Sequence, residues 1–103
     1  MILKEFIPIV QDLEKLMTFL NQNLPNVDLE YIEIYMKDKI SAESELYFFD
    51  CDEIPENIEI EINNQKYINL FPLFMLQDFV EEFPKKNIDE LSNVIISYRL
   101  NDA

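Results

Sequence analysis

Histidine, glycine and tryptophan are absent from this 103-residue chain, and cysteine occurs once. Only eight Lys and Arg stand against 21 Asp and Glu, a formal charge of -13. Each shortage excludes something. Without His, the commonest general base near neutral pH is missing. One thiol and no imidazole cannot assemble a structural zinc set. Phosphate-cradling loops, dinucleotide fingerprints and nucleophile elbows need Gly where backbone turns sharply or meets a ligand, and none can form here. Left-handed turn positions must fall to Asn and Asp, which tolerate them best after Gly. Asn63-Asn64 has the form of such a turn. The single Cys51 excludes an internal disulfide and suits a reducing compartment.

Other absences bear on location. The opening MILKEFIPIV is not a secretory leader: Glu5 follows Lys4, Pro8 breaks the apolar run, and no small-residue cleavage site follows. No apolar run approaches the ~20 residues that span a bilayer. A cytoplasmic protein without membrane contact is the expectation.

What remains is apolar enough to fold. Hydrophobic residues make up 49% of the chain, with eight Phe and five Tyr, unlike disordered acidic tails. Leu3, Phe6, Val10, Leu13, Met17, Leu20 and Leu24 recur in steps of three and four, one face of a helix. Pro8 places that helix at 8–22, with 2–7 a kinked or docked lead-in. Strands are expected at 31–36, 45–51, 57–63 and 65–71, the last two joined as a hairpin through Asn63-Asn64. A second helix runs from Pro72 to Phe83, burying Leu73, Leu76, Phe79, Val80 and Phe83 and leaving Phe74 and Met75 off its stripe. Asn87 and Glu90 resemble a capping box that opens a last helix reaching Leu100. The order predicts one α+β domain: a mainly antiparallel sheet of three or four strands with helices on one face.

The acids are not spread evenly. Glu43, Glu45, Asp50, Asp52, Glu53, Glu56, Glu59 and Glu61 follow one another without an intervening Lys or Arg. A solvated, solubilising face is the plain explanation; a docking surface for a basic protein is the functional one. Strand alternation sharpens the second reading. Tyr31, Glu33 and Tyr35 share a face of their strand, Glu45 and Tyr47 of theirs, and Glu59 and Glu61 of theirs. Tyr67 joins them if Ile68 and Leu70 point inward. One side of the sheet would then interleave tyrosines with glutamates. Tyr is a preferred interface anchor, and neighbouring carboxylates pair with Arg and Lys of a partner. Strand propensity alone accounts for any single Tyr.

Asp50-Cys51-Asp52-Glu53 lacks the Gly of a calcium loop and meets Pro55 instead. Paired carboxylates acting as in glycosidases would need a deeper cleft than so small a sheet offers. Cys51 has no imidazole to activate it and reads as a small buried apolar residue. No catalytic residue, metal or cofactor is expected, and the chain is read as a binder rather than an enzyme.

Three stretches give a resemblance. LKEFI (3–7) is an amphipathic opening, ELYFFDCDE (45–53) an apolar strand running into acids, and SYRLNDA (97–103) a helix closing on an aromatic and then Asn-Asp-Ala. With the acidity, these resemble immunity proteins of contact-dependent growth inhibition and other polymorphic toxin systems. Members of that group carry glycines in turns where this chain has none. The resemblance implies a cytoplasmic inhibitor of a cognate basic toxin, a nuclease by preference, bound beside or across its phosphate-holding cleft. Nucleic acid is not an expected partner. The alternatives are a nucleic-acid mimic that inhibits DNA-binding proteins, which needs an extended regular carboxylate array, a metal-dependent hydrolase or enzyme subunit, and a plain structural or adaptor domain.

Overall fold

The computed structural model describes residues 1–52 and 58–102. Its elements run α1 (Leu3–Val10), α2 (Leu13–Asn23), a 3-10 turn (Leu29–Tyr31), β1 (Ile32–Lys37), β2 (Leu46–Asp50), β3 (Glu59–Ile62), β4 (Gln65–Pro72), α3 (Leu73–Glu82) and α4 (Ile88–Asp102). The four strands form one antiparallel sheet in the order β2-β1-β4-β3. This is the expected α+β domain, with four strands and with helices on one face.

The absence of glycine is met as expected. Among the described residues the positive-φ positions are Asn26, Asp38, Asn63 and Asn64, all Asn or Asp. At Asn63 and Asn64, φ values of 53° and 66° make the two-residue turn that closes the β3–β4 hairpin. Asn87 and Glu90 form the foreseen cap: the Glu90 amide donates to Asn87 Oδ1 at 2.8 Å, and Asn87 Nδ2 donates to Glu90 Oε1 at 2.7 Å.

The first helix departs from its expected bounds. Pro8 lies inside α1, where its missing N–H costs one hydrogen bond and leaves the helix intact. The break comes at Gln11–Asp12. Asp12 adopts extended backbone, and its carboxylate accepts from the amides of Glu14 at 3.0 Å and Lys15 at 3.3 Å, starting a new helix. This cap resets the helical phase. α1 buries Leu3, Phe6, Ile7 and Val10, whereas α2 buries Leu16 and Leu20 and leaves Leu13 and Met17 exposed. The single seven-membered stripe is therefore two stripes out of phase.

The core lies between the helices and one face of the sheet. Ile32, Ile34 and Met36 of β1, with Leu46 and Phe48 of β2, meet Leu3, Phe6 and Ile7 of α1, Leu73 and Leu76 of α3, and Leu91 and Ile95 of α4. Phe6, Phe19 and Phe48 stack in a triangle with centroids 4.9–5.3 Å apart, tying α1 and α2 to β2. Each such ring pair adds ~0.5–1.5 kcal/mol beyond its area burial. Met75 packs against the core, and Phe74 is exposed.

Ion pairs contribute little. Those among the described residues, the N-terminus with Glu45, Lys4 with Asp89 and Lys66 with Glu59, are all partly or largely exposed. Such pairs are worth ~0–1 kcal/mol each. One feature works against the fold: Ser92 on α4 is fully buried, and its hydroxyl has no hydrogen-bond partner among the described residues. Ser92→Ala should raise the urea midpoint by an amount equivalent to about 1 kcal/mol, because a buried unpaired hydroxyl is removed. A clear loss of stability would show that the hydroxyl is satisfied. Phe6→Ala should cost about 3–5 kcal/mol in the same measurement.

Candidate interaction face

Among the described residues, the helices leave the other side of the sheet to itself. Paired residues of an antiparallel ladder share a face, so the register sets out this outer surface from edge to edge. β2 contributes Tyr47 and Phe49, with Glu45 just before the strand. β1 contributes Glu33, Tyr35 and Lys37. β4 contributes Gln65, Tyr67 and Asn69, and β3 contributes Ile60 and Ile62. None of these belongs to the core cluster that packs against the helices.

The centre of this face is aromatic. Tyr47 on β2 and Tyr67 on β4 are separated by the whole of β1, yet their ring centroids are 4.9 Å apart. Phe49 lies 5.4 Å from Tyr35 and 5.9 Å from Tyr67, both edge-on. The outer rings lean inward across β1 and close over Tyr35. That accounts for a tyrosine only 2% exposed on the face that lacks helices. Tyr47, Phe49 and Tyr67 remain half-buried, each presenting part of its ring to solvent.

A bulge organises what lies beneath. Ile34 pairs with Phe71 but Tyr35 pairs with Asn69, so Leu70 is an extra residue. Leu70 and Phe71 both enter the helix-side core, while Asn69 faces outward. Its Nδ2 donates to Glu33 Oε2 at 3.1 Å, and its side chain also hydrogen-bonds the Tyr35 hydroxyl. Its carbonyl accepts from Arg99 Nε at 3.0 Å, reached from α4. The Arg99 contact thus joins the helix layer to the strand that carries the ring cluster.

The expected site divides on this frame. Tyr35, Tyr47 and Tyr67 come together, with Glu33 and Glu45 on the same face. Tyr31 stands apart in the 3-10 turn, with its ring exposed and its carbonyl accepting from the Cys51 amide at 2.8 Å. Glu43 is exposed in the β1–β2 loop, where its amide donates to Ser41 Oγ. Asp50 pairs with Ile32 and so has the opposite phase from Tyr47 and Phe49. Glu53 and Glu56 lie outside the described residues.

Glu59 and Glu61 correct the expectation. Ile60 pairs with Tyr67, which places Ile60 and Ile62 on the aromatic side and both glutamates on the opposite side. Period-2 alternation was right, but its sense is set by β4, and β3 sits at an edge where isoleucine gains more by packing against Tyr67. The surface is an aromatic centre with Glu33 and Glu45 beside it rather than tyrosines interleaved with glutamates throughout. Phe49, Ile60 and Asn69 are members that the sequence did not single out. Phe49 had a usable signal, its two-residue spacing from Tyr47.

Other chemistry is sparse. Ligand atoms of Asp50, Cys51 and Asp52 lie within 4.8 Å of one another, but Asp50 Oδ1 already accepts from the Asp52 amide in a local turn. Cys51 is half-buried rather than buried. Among the described residues no helix is long and apolar enough to cross a membrane. Comparison with protein-family models, with curated proteins and with solved structures finds no match to this chain.

Burial raises the Tyr35 pKa, the Glu33 carboxylate adds to the rise, and the hydrogen bond to Asn69 opposes both. Below about pH 10, the ordinary tyrosine value, folded and unfolded chains both keep this proton and stability is unaffected by it. As pH rises through that value the unfolded chain ionises first, so the fold loses stability up to the higher folded-state pKa. Tyrosinate absorbance of the wild type minus that of Tyr35→Phe should therefore show a group titrating above about pH 10. A difference spectrum titrating at or below that value would mean that Tyr35 is solvated.

Proposed function

We propose that this chain is a stoichiometric protein inhibitor of the immunity type, which seats a cognate basic toxin on the outer face of its sheet. The observation that supports this most is the ring cluster: Tyr47, Phe49 and Tyr67 closed over Tyr35, on the face opposite the helices. Rings already packed against one another lose little freedom on binding, so their partly exposed surfaces form a preorganised platform. Tyr is among the residues that dominate interface energies.

Charge supplies the other half. A net -13 on 12.4 kDa attracts cationic proteins over about 8 Å at physiological salt, raises association rates and repels nucleic acid. The field brings the partner in and the rings slow its release. A nuclease toxin suits this division, since its cleft is basic to hold phosphates. A nucleic-acid mimic would want carboxylates in a regular array, and here rings occupy the middle of the face.

Co-expression with the product of the adjacent upstream gene tests the reading. A basic toxin should be held at 1:1, and growth should be restored. Tyr47→Ala and Tyr67→Ala should each weaken that complex by about 2 kcal/mol, roughly 30-fold, mainly through faster dissociation. Added salt should slow association. A tight complex indifferent to both substitutions would remove the ring face from the interface, and no saturable basic partner would end the inhibitor reading.

A further inference from the structure

We infer that the outer edge of β3 accepts an extended basic segment of the partner as a fifth strand of the sheet; this rests on the basic-partner reading above. Among the described residues, β3 is the last strand on its side and is bonded only to β4. The Asn69 amide donates to the Ile58 carbonyl at 2.7 Å, and a two-residue turn joins Ile62 to Gln65. Ile58, Ile60 and Ile62 therefore direct their backbone groups toward β4. Glu59 and Glu61 direct theirs away from the sheet, where among the described residues they meet no backbone partner.

The two edges are not equivalent. At β2, Ile2 bridges Glu45, and the Leu46 amide donates to the Met1 carbonyl at 2.8 Å. The N-terminus thus occupies part of that edge. β3 has no such cover among the described residues: Glu59, Glu61 and Ile62 are exposed, and Ile58 is 70% exposed. Open edges are templates for strand addition, with backbone bonds supplying affinity and alternate side chains supplying selectivity.

Side chains choose the occupant. Glu59 and Glu61 stand on one side of the edge and Ile58, Ile60 and Ile62 on the other. A second copy of β3 would bring like carboxylates together, which is destabilising across a strand pair. A strand alternating Lys or Arg with apolar residues would set cations against Glu59 and Glu61. It would also extend the Tyr67–Ile60 surface by one apolar row. The exposed Lys66–Glu59 pair at 3.4 Å offers little resistance to exchange.

The test adds a synthetic peptide of alternating Lys and Val to the full-length 15N-labelled chain and follows amide hydrogen exchange. The amides of Glu59 and Glu61 should slow about tenfold, while those of Ile60 and Ile62, already bonded to β4, should not change. The counterpart with Glu for Lys should give no such protection. In the Glu59→Lys/Glu61→Lys chain the two peptides should exchange roles. Peptide-induced shifts confined to Tyr47, Phe49 and Tyr67 would overturn the edge and leave the ring-face reading standing. No protection at Glu59 and Glu61 up to millimolar peptide would overturn the edge as well, with the toxin complex still to be judged by its own substitutions. Protection that grows with protein concentration and no peptide would identify a second copy as the occupant and overturn it too.

Discussion

The pairing of β1 with β4 at the centre of the sheet carries the rest of the molecule. One extra residue in that ladder, Leu70, lets two consecutive side chains, Leu70 and Phe71, enter the same core. A regular strand would send one of them to the opposite face. The bulge also leaves Asn69 outward, where it holds Glu33 and the Tyr35 hydroxyl, and offers its carbonyl to Arg99 of α4. Arg99 is the one arginine of the chain. Its planar, always-charged guanidinium suits a fixed backbone contact better than a lysine would. Packing on the helix side and geometry on the ring side therefore share a single irregularity.

From that centre the two faces diverge in chemistry. The helix side is largely aliphatic, with two aromatic groups, Phe6 with Phe19 and Phe48, and Phe71 with Phe79 and Tyr98, and its stability comes from area removed from water. The other side covers its centre with its own rings, since flanking strands can bury a middle-strand tyrosine when their side chains lean across it. This arrangement buries Tyr35 and leaves the covering rings only half satisfied. Their remaining apolar surface is what a partner would complete.

Much of the architecture is legible because the chain uses unambiguous punctuation. Asn63-Asn64, Asn87 with Glu90, and Pro72 mark turns and helix ends by mechanisms that act locally. What is not legible depends on phase or on tertiary choice. Asp12 is a good cap, but only the fold decides that it interrupts a stripe rather than decorating it. Alternation in β3 shows two faces and cannot say which is inward, because the answer lies in the pairing with β4. Asn69 and Arg99 are 30 residues apart, and no local pattern links them. The ring cluster is half legible: its three tyrosines each fall on an alternating strand, whereas the two-residue spacing of Phe49 from Tyr47 is blurred by the continuously apolar run around it.

Surplus negative charge gives these exposed features a common logic. A sheet with a partly open aromatic face and an open edge invites association between copies. At -13 each, two copies repel over the distances at which such contacts begin. Glu59 and Glu61 repeat the same exclusion at contact range on the edge itself. Charge of one sign discriminates only against its like. On the proposed reading, the charge that opposes self-association would also favour, among proteins able to stack on tyrosine or add a strand, those that are cationic.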